Sequence, residues 1–263
     1  MAISCAPRLE VFAVPGLPLF EAGDDLGSAA AKALDEGGTP LSDGDVVVVA
    51  SKAVSRAEGR FVDLTSVAPS PRALDLAQRT GKDPRVVELV LSESSSVSRV
   101  ARDVLIVRHR LGFVIANAAI DQSNARPRGA AEGSGPWALL LPRDPDASAE
   151  AIRAWLARHY HASIGVVLAD SFGRPFRRGT VGVAVGVAGL PPIWDQRGTP
   201  DLFARRLEHT ETALADQVAA AAELVAGQAA EGRAIVIVRG LRFDAGAHGV
   251  GELLRPVEQD LYA

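Results

Sequence analysis

Short apolar runs broken by Gly, Pro and Asp recur along the chain, interleaved with longer runs whose apolar positions return every three or four residues. Leu9 to Pro15 predicts an opening strand closed by the turn-forming Pro15-Gly16 and Pro18. Asp24-Asp25 ahead of an Ala-rich run, with Gly37-Gly38 after it, predicts a helix punctuated at both ends. Val46 to Val49 is a β-branched run without polar alternation, the pattern of a strand covered on both faces. Ser70-Pro71 and Asp83-Pro84 predict the starts of two further helices, each with Pro at the first helical position.

Val104 to Val107 and Phe113 to Ala116 predict an antiparallel pair joined through His109 and Gly112. Arg126 to Gly135 has no period and reads as a loop or mobile segment. Ser148 is expected to cap an amphipathic helix carrying Ile152, Trp155, Leu156 and His159 on one face. Ile164 to Leu168 and Val181 to Val187 predict strands, Thr210 to Glu231 the longest helix, and Ile235 to Val238 the last clear strand. Strands and helices mix without strict βαβ alternation, so the fold class is α+β (mixed α/β) rather than a doubly wound sheet.

At 263 residues the chain is one large domain or two small ones and can bury a substantial core without staples. The lone Cys5 excludes an internal disulfide and a zinc cage. A net charge of −4 and 5% aromatic residues argue against nucleic acid as a partner. Arg8 and Glu10 interrupt the N-terminus before a signal-like stretch forms. Val181 to Trp194 falls short of the roughly 20 residues a spanning helix needs. A soluble cytoplasmic protein with no membrane partner is the expectation.

Several standard sites are missing from the sequence. No G-x-x-x-x-G-K loop cradles a phosphate, Gly246 to Gly251 has its glycines in the wrong order for a dinucleotide fingerprint, and the five His form no H-E-x-x-H pair. No G-x-S-x-G elbow offers a nucleophile. What stands out instead is a pair of expected strand ends that each deliver a carboxylate and neighbouring polar groups, Asn117 to Asn124 around Asp121 and Ala169-Asp170-Ser171. Such hard oxygen donors suit Mg2+ or Mn2+ bridging phosphates, although both Asp also read as turn residues that cap the next element. Arg174, Arg177 and Arg178 follow within a few residues; guanidinium forks match an anionic substrate, and a solvated basic loop is the plainer reading.

Taken together, these segments resemble the coenzyme F420-0:L-glutamate ligase family over nearly the whole chain. The resemblance rests on Gly16-Leu-Pro-Leu19 with Gly23-Asp-Asp-Leu26, on Asp43 to Ser51 with Ser55-Arg-Ala-Glu-Gly-Arg60, and on Asn117 to Asn124. Leu139 to Ala149 and Ala169 to Gly179 complete it, in the family's order. It implies one ligase region over residues 1–263 with two structural subdomains, folded as a two-domain protomer with mixed sheets in an intertwined homodimer.

The resemblance further implies GTP as co-substrate, contacted by Leu17, Pro18, Leu19, Phe20, Ser51, Arg56 and Asn124. Ala226, Gly227, Gln228, Ala229, Ala230, Glu231, Gly232 and Arg233 extend that nucleotide set. It implies Mg2+ or Mn2+ held by Asp121, Asp170, Ser171 and Gln228, with K+ as a further candidate ion, and Asp121, Asp170 and Arg56 as the catalytic set. Arg174, Arg177 and Arg178 are the candidates for the anionic substrate. The implied reaction joins L-glutamate to the lactyl carboxylate of F420-0 through an acyl phosphate, releasing GDP. Ala119, Ala204 and Ala226 depart from the family pattern, Arg56 replaces its Lys, and neutral Gln228 weakens the charge of the ion site. A related ligase with another acceptor, a nucleotide-binding regulatory module and a structural homologue are the rival readings.

Overall fold

The computed structural model describes residues 8–259, so Cys5 lies outside the described residues. In chain order the first half comprises β1 (Glu10–Ala13), α1 (Leu26–Glu36), β2 (Val46–Ala50), α2 (Ser51–Ala57) and β3 (Phe61–Asp63), then α3 (Pro71–Thr80), α4 (Pro84–Ser92), β4 (Ser94–Ala101), β5 (Val104–His109) and β6 (Val114–Ala116). The second half comprises β7 (Trp137–Leu139), α5 (Pro145–Tyr160), β8 (Gly165–Arg174), β9 (Arg177–Ala188), β10 (Trp194–Asp195), β11 (Glu211–Thr212), α6 (Leu214–Ala226) and β12 (Ile235–Arg239). The main sheet runs β1-β12-β2-β8-β9. Only β2 and β8 are parallel in it, and the other pairs are antiparallel, as a mixed fold requires. Smaller sheets pair β3 with β7, β10 with β11, and β4 with β5 and β6.

The valines of β2 are all buried, because the strand is central and covered on both faces. Apolar side chains form one large cluster around the main sheet with α1, α5 and α6, and a second around α3, α4, β5 and β7. Caps follow the sequence closely at three helices: Asp25, Ser70 and Asp83 each accept a backbone N–H from the first turn of the helix they precede. No helix among the described residues is long and apolar enough to cross a membrane.

Three expectations need correction. Asp144, not Ser148, caps α5, accepting the Ala147 N–H at 3.0 Å, because its carboxylate stands directly before Pro145 at the first helical position. Ser148 sits inside the first turn and donates its hydroxyl to Glu58 at 2.7 Å. On that helix Ile152 and Leu156 enter the core, while His159 stacks on Trp155 and reaches Asp35 at 3.1 Å. The longest helix is α5, with 16 residues; α6 has 13, because Glu211–Thr212 pair with β10 and Gly227 takes a φ of 78°. Finally, β8 does not end at Leu168 but runs on to Arg174.

A bulge in β9 explains how one strand serves two helices. Leu168 faces Gly186 and Ala169 faces Ala184, leaving Val185 extra and switching the side-chain alternation. Gly182 therefore meets α6, where a Cβ would stand 2.7 Å from the Ala219 carbonyl oxygen. Gly186 meets α5, where a Cβ would stand 2.5 Å from the Pro145 carbonyl oxygen.

Glu93 gathers a charged cluster beside the second core, with Arg110 at 3.1 Å, Arg60 at 3.2 Å and the buried His109 ring at 3.6 Å. His109 first, and then Arg110 and Arg60, hold its carboxyl down to about 2 against the opposing effect of burial. A lowered carboxyl stabilises the fold above its unfolded value near 4.5, and that contribution fades as pH falls towards 2. Glu93→Gln is expected to cost up to about 3 kcal/mol at neutral pH and to flatten the acid limb of stability in that window. Urea unfolding followed from pH 7 to pH 2 checks this; parallel curves for the two proteins would refute it.

Candidate functional site

The last residues of the parallel β2–β8 pairing are Ala50 and Ala169. At that point the chains diverge: Ser51 opens α2, and Asp170 continues along β8 with only β9 beside it. The carboxyl end of parallel strands is where open mixed sheets leave a crevice for ligands. Asp170 is therefore an interior strand residue at the rim of the parallel pair, and its reading as a turn cap is set aside. Asp121 keeps both characters. It bridges Leu139 through its backbone, and its Oδ1 accepts the Ser123 N–H at 2.6 Å and hydroxyl at 2.7 Å, a local turn bond.

Two clefts meet at Asp170. One, of about 410 Å³ and open to solvent, is lined by Asp170, Ser171, Glu223, Gly227, Gln228 and Arg233 among others. The other, of about 290 Å³, is lined by Ser51, Lys52, Ala119, Asp121, Leu140 and Asp170 among others. The structure thus brings Asp121 together with Asp170 on one side, and Ser171 with Gln228 on the other.

Burial pushes the Asp170 carboxyl up to about 6, and the nearby charge of Asp121 adds to it. The Ser171 N–H at 2.7 Å, the Ser51 hydroxyl and Lys52 pull the other way without compensating. Burial also raises Asp121, but the Lys52 ammonium and the two Ser123 bonds together outweigh it, so that carboxyl lies below its usual value. Lys52 forms an ion pair with Asp121 and donates to the Ser123 hydroxyl at 3.1 Å. The Asp170 carboxyl, held up mainly by burial, shares its two clefts with the oxygens of Asp121, Ser51, Ser171 and Gln228. Among the described residues no three His, Cys, Asp or Glu cluster as a ready metal cage. The set fits a hard divalent ion that completes its shell with water and phosphate oxygens.

Lys52 and Glu223 were not singled out from sequence. Lys52 had one signal, its place directly after the buried strand β2 and next to Ser51. Glu223 had a weak one, its place two turns after Asp216 in an otherwise largely apolar helix α6.

Arg56 is buried, with 2% of its surface exposed, and its N–H groups are taken up by protein. Nε donates to the Phe20 carbonyl at 2.7 Å, Nη1 to the Asn124 carbonyl at 2.7 Å, and Nη2 to Glu21 at 2.5 Å. The Arg126 carbonyl accepts longer bonds, at 3.4 Å, from Nη1 and Nη2, and the guanidinium lies 4.9 Å from the centre of the Phe61 ring. Arg56 therefore ties together two backbone segments that hold expected nucleotide contacts, Leu17 to Phe20 and Asn124. Pro18 and Leu19 are exposed, Leu17 is half-buried and Phe20 is buried.

Ala226, Gly227, Gln228 and Arg233 line the larger cleft, while Ala229 to Gly232 form an exposed loop beyond its lining. Arg174, Arg177 and Arg178 line neither cleft. They surround the tip of the β8–β9 hairpin, roughly 13 Å of strand beyond Asp170 for Arg174, and are exposed. Two departures from the family pattern share a backbone feature: Ala119 and Ala204 both take positive φ, 55° and 65°, a conformation that glycine adopts at no steric cost.

Residues 16–240 match the sequence profile of a family described as F420-0:Gamma-glutamyl ligase. The chain is 50% identical to the coenzyme F420:L-glutamate ligase of Methanothermobacter thermautotrophicus, over 97% of this chain and 98% of that one. It is 44% identical to the Halobacterium salinarum protein of the same name, over 96% and 94%, and 39% identical to that of Methanocaldococcus jannaschii, over 94% of each.

Proposed function

The chain belongs to the F420-0:gamma-glutamyl ligase family, and from that premise we propose that it is a GTP-dependent ligase joining L-glutamate to the lactyl carboxylate of F420-0. The observation that carries the reading to this chain's own residues is the meeting of two clefts at Asp170, one bringing it together with Asp121 and the other with Ser171 and Gln228. A carboxylate and an amine do not condense unaided in water. The carboxylate oxygen takes the γ-phosphoryl group of GTP, the bond to the bridging oxygen breaks, and GDP is released. The glutamate nitrogen then bonds to the acyl carbon, the carbon–oxygen bond to phosphate breaks, and the proton lost from nitrogen leaves with the departing phosphate or solvent. Such transfer is mostly positioning and charge neutralisation, so no protein nucleophile is required.

In this reading Asp121, Asp170, Ser171 and Gln228 hold Mg2+ or Mn2+, which when bound neutralises phosphate charge. Lys52 and Ser123 fix the Asp121 carboxylate, and Arg56 holds the Phe20 and Asn124 segments against one another. Arg174, Arg177 and Arg178 receive the anionic acceptor. The intertwined homodimer, a nucleotide groove between its protomers, and a cytoplasmic location belong to the same proposal.

An isotope experiment tests it. F420-0 carrying ¹⁸O in the lactyl carboxylate, incubated with glutamate, GTP and Mn2+, is expected to yield labelled inorganic phosphate and GDP by mass spectrometry. Label in GMP would replace the acyl phosphate by a nucleotidyl route. Nucleotide binding without glutamate-dependent phosphate release would remove the ligase activity altogether.

A further inference from the structure

Helix α6 is fastened to β9 by two carboxylates seven residues, or two turns, apart. Asp216 accepts the Ala184 N–H at 2.9 Å, and Glu223 accepts the Gly182 N–H at 2.5 Å through Oε2. Gly182 lets the helix lie this close, and it pairs across the hairpin with Ser171. The two carboxylates part company at their other oxygen. Glu223 Oε1 accepts the Ser171 hydroxyl at 2.5 Å and also a hydrogen bond from the Gln228 amide nitrogen. One carboxylate thus holds both partners of a single β8–β9 rung together with the first residues beyond α6.

A serine hydroxyl has one proton to give. With Glu223 closer and charged, that proton goes to Glu223 rather than to Gln228 Oε1, which lies 3.0 Å from Ser171 Oγ. Gln228 likewise turns its NH2 to the carboxylate, since the flipped amide would set oxygen against oxygen. Both hydrogens are drawn to one side, and two acceptor oxygens stand together beside Asp170 in the larger cleft.

We propose that Glu223 is a positioning residue that takes up the Ser171 and Gln228 hydrogens and so presents their oxygens, preset, to a divalent cation. It also supplies next to neutral Gln228 a negative charge that Gln228 lacks. This rests on the metal reading given above. The alternative is that Glu223 only docks α6, as Asp216 does, which makes Asp216→Asn the matched control.

Mn2+ is titrated into the wild-type protein, Glu223→Ala, Glu223→Gln and Asp216→Asn, with free Mn2+ followed by electron paramagnetic resonance and Tm recorded for each. Loss of a group that orients a ligand weakens metal binding about 10- to 100-fold. Both Glu223 variants are expected to show that loss, whereas Asp216→Asn keeps wild-type affinity even if its Tm falls. In the assembled reaction the KM for Mn2+ should rise for Glu223→Gln, with kcat at saturating Mn2+ changed far less. Wild-type Mn2+ affinity in Glu223→Ala, or an equal loss in Asp216→Asn, overturns the positioning role and leaves the metal site standing. Absence of Mn2+ binding by the wild-type protein overturns the metal reading itself.

Discussion

Replacing Asp170 by Asn is expected to cut ligation by about a thousandfold or more while leaving the fold at least as stable as before. The two halves have one cause. Asp170 stands where burial and Asp121 together raise its carboxyl to about 6, so at neutral pH the fold carries a carboxylate that its surroundings disfavour. For an acid whose folded value exceeds the unfolded one, stability falls as pH rises through the interval, here from 3.8 to about 6. Asn has nearly the same shape and no charge, so at pH 7 that cost disappears, and with it the oxygen charge that phosphate neutralisation needs. Turnover at saturating Mn2+ and Tm at pH 7 check the two halves separately. Near-normal turnover would remove Asp170 from the ion site, and a large fall in Tm would show its charge to be structural. Asp121→Asn should be as damaging to turnover, because it also releases Lys52 from its ion pair.

Arg56→Met is expected to lower Tm by roughly 10 °C in the absence of any nucleotide. Methionine fills much of the same volume but leaves Glu21 without its guanidinium and the Phe20 and Asn124 carbonyls without their donors. Breaking one side of a buried pair costs about 3–5 kcal/mol. At 2–4 °C per kcal/mol for a chain of this size, that gives the expected shift. Arg56→Lys should recover only part of it, because one ammonium cannot span partners on four residues. An unchanged Tm with a raised KM for GTP would show instead that the guanidinium's main partner is the nucleotide.

Much of the scaffold was legible because its signals are local. The buried valines of β2 and the Ser or Asp caps of α1, α3 and α4 depend on residues a few positions apart. No apolar pattern marks β4, since Ser94–Ala101 is largely exposed and polar and is held mainly by its partner β5. The end of β8 escapes the sequence for a related reason. Asp170 to Arg174 lack apolar alternation and are strand only because β9 pairs with them. In the site, Asp121 and Asp170 could be named from sequence because each follows an apolar run. Glu223 could not: its role depends on Gly182 admitting α6 close to β9, a contact between positions 41 residues apart.

The continuation of β8 past the end of β2 separates two tasks along one ribbon. Asp170 and Ser171 are the first residues past the last β2 rung, where Glu223 of α6 still holds the ribbon, whereas Arg174, Arg177 and Arg178 ride on the exposed tip of this two-stranded overhang. Adding or removing one residue from each arm of that overhang shifts the arginines by about 3.3 Å, and two per arm also restores the facing of every side chain. Neither change moves the carboxylates. In the proposed reading, where these arginines receive the anionic acceptor, their reach is therefore a length that the hairpin sets independently of the carboxylates.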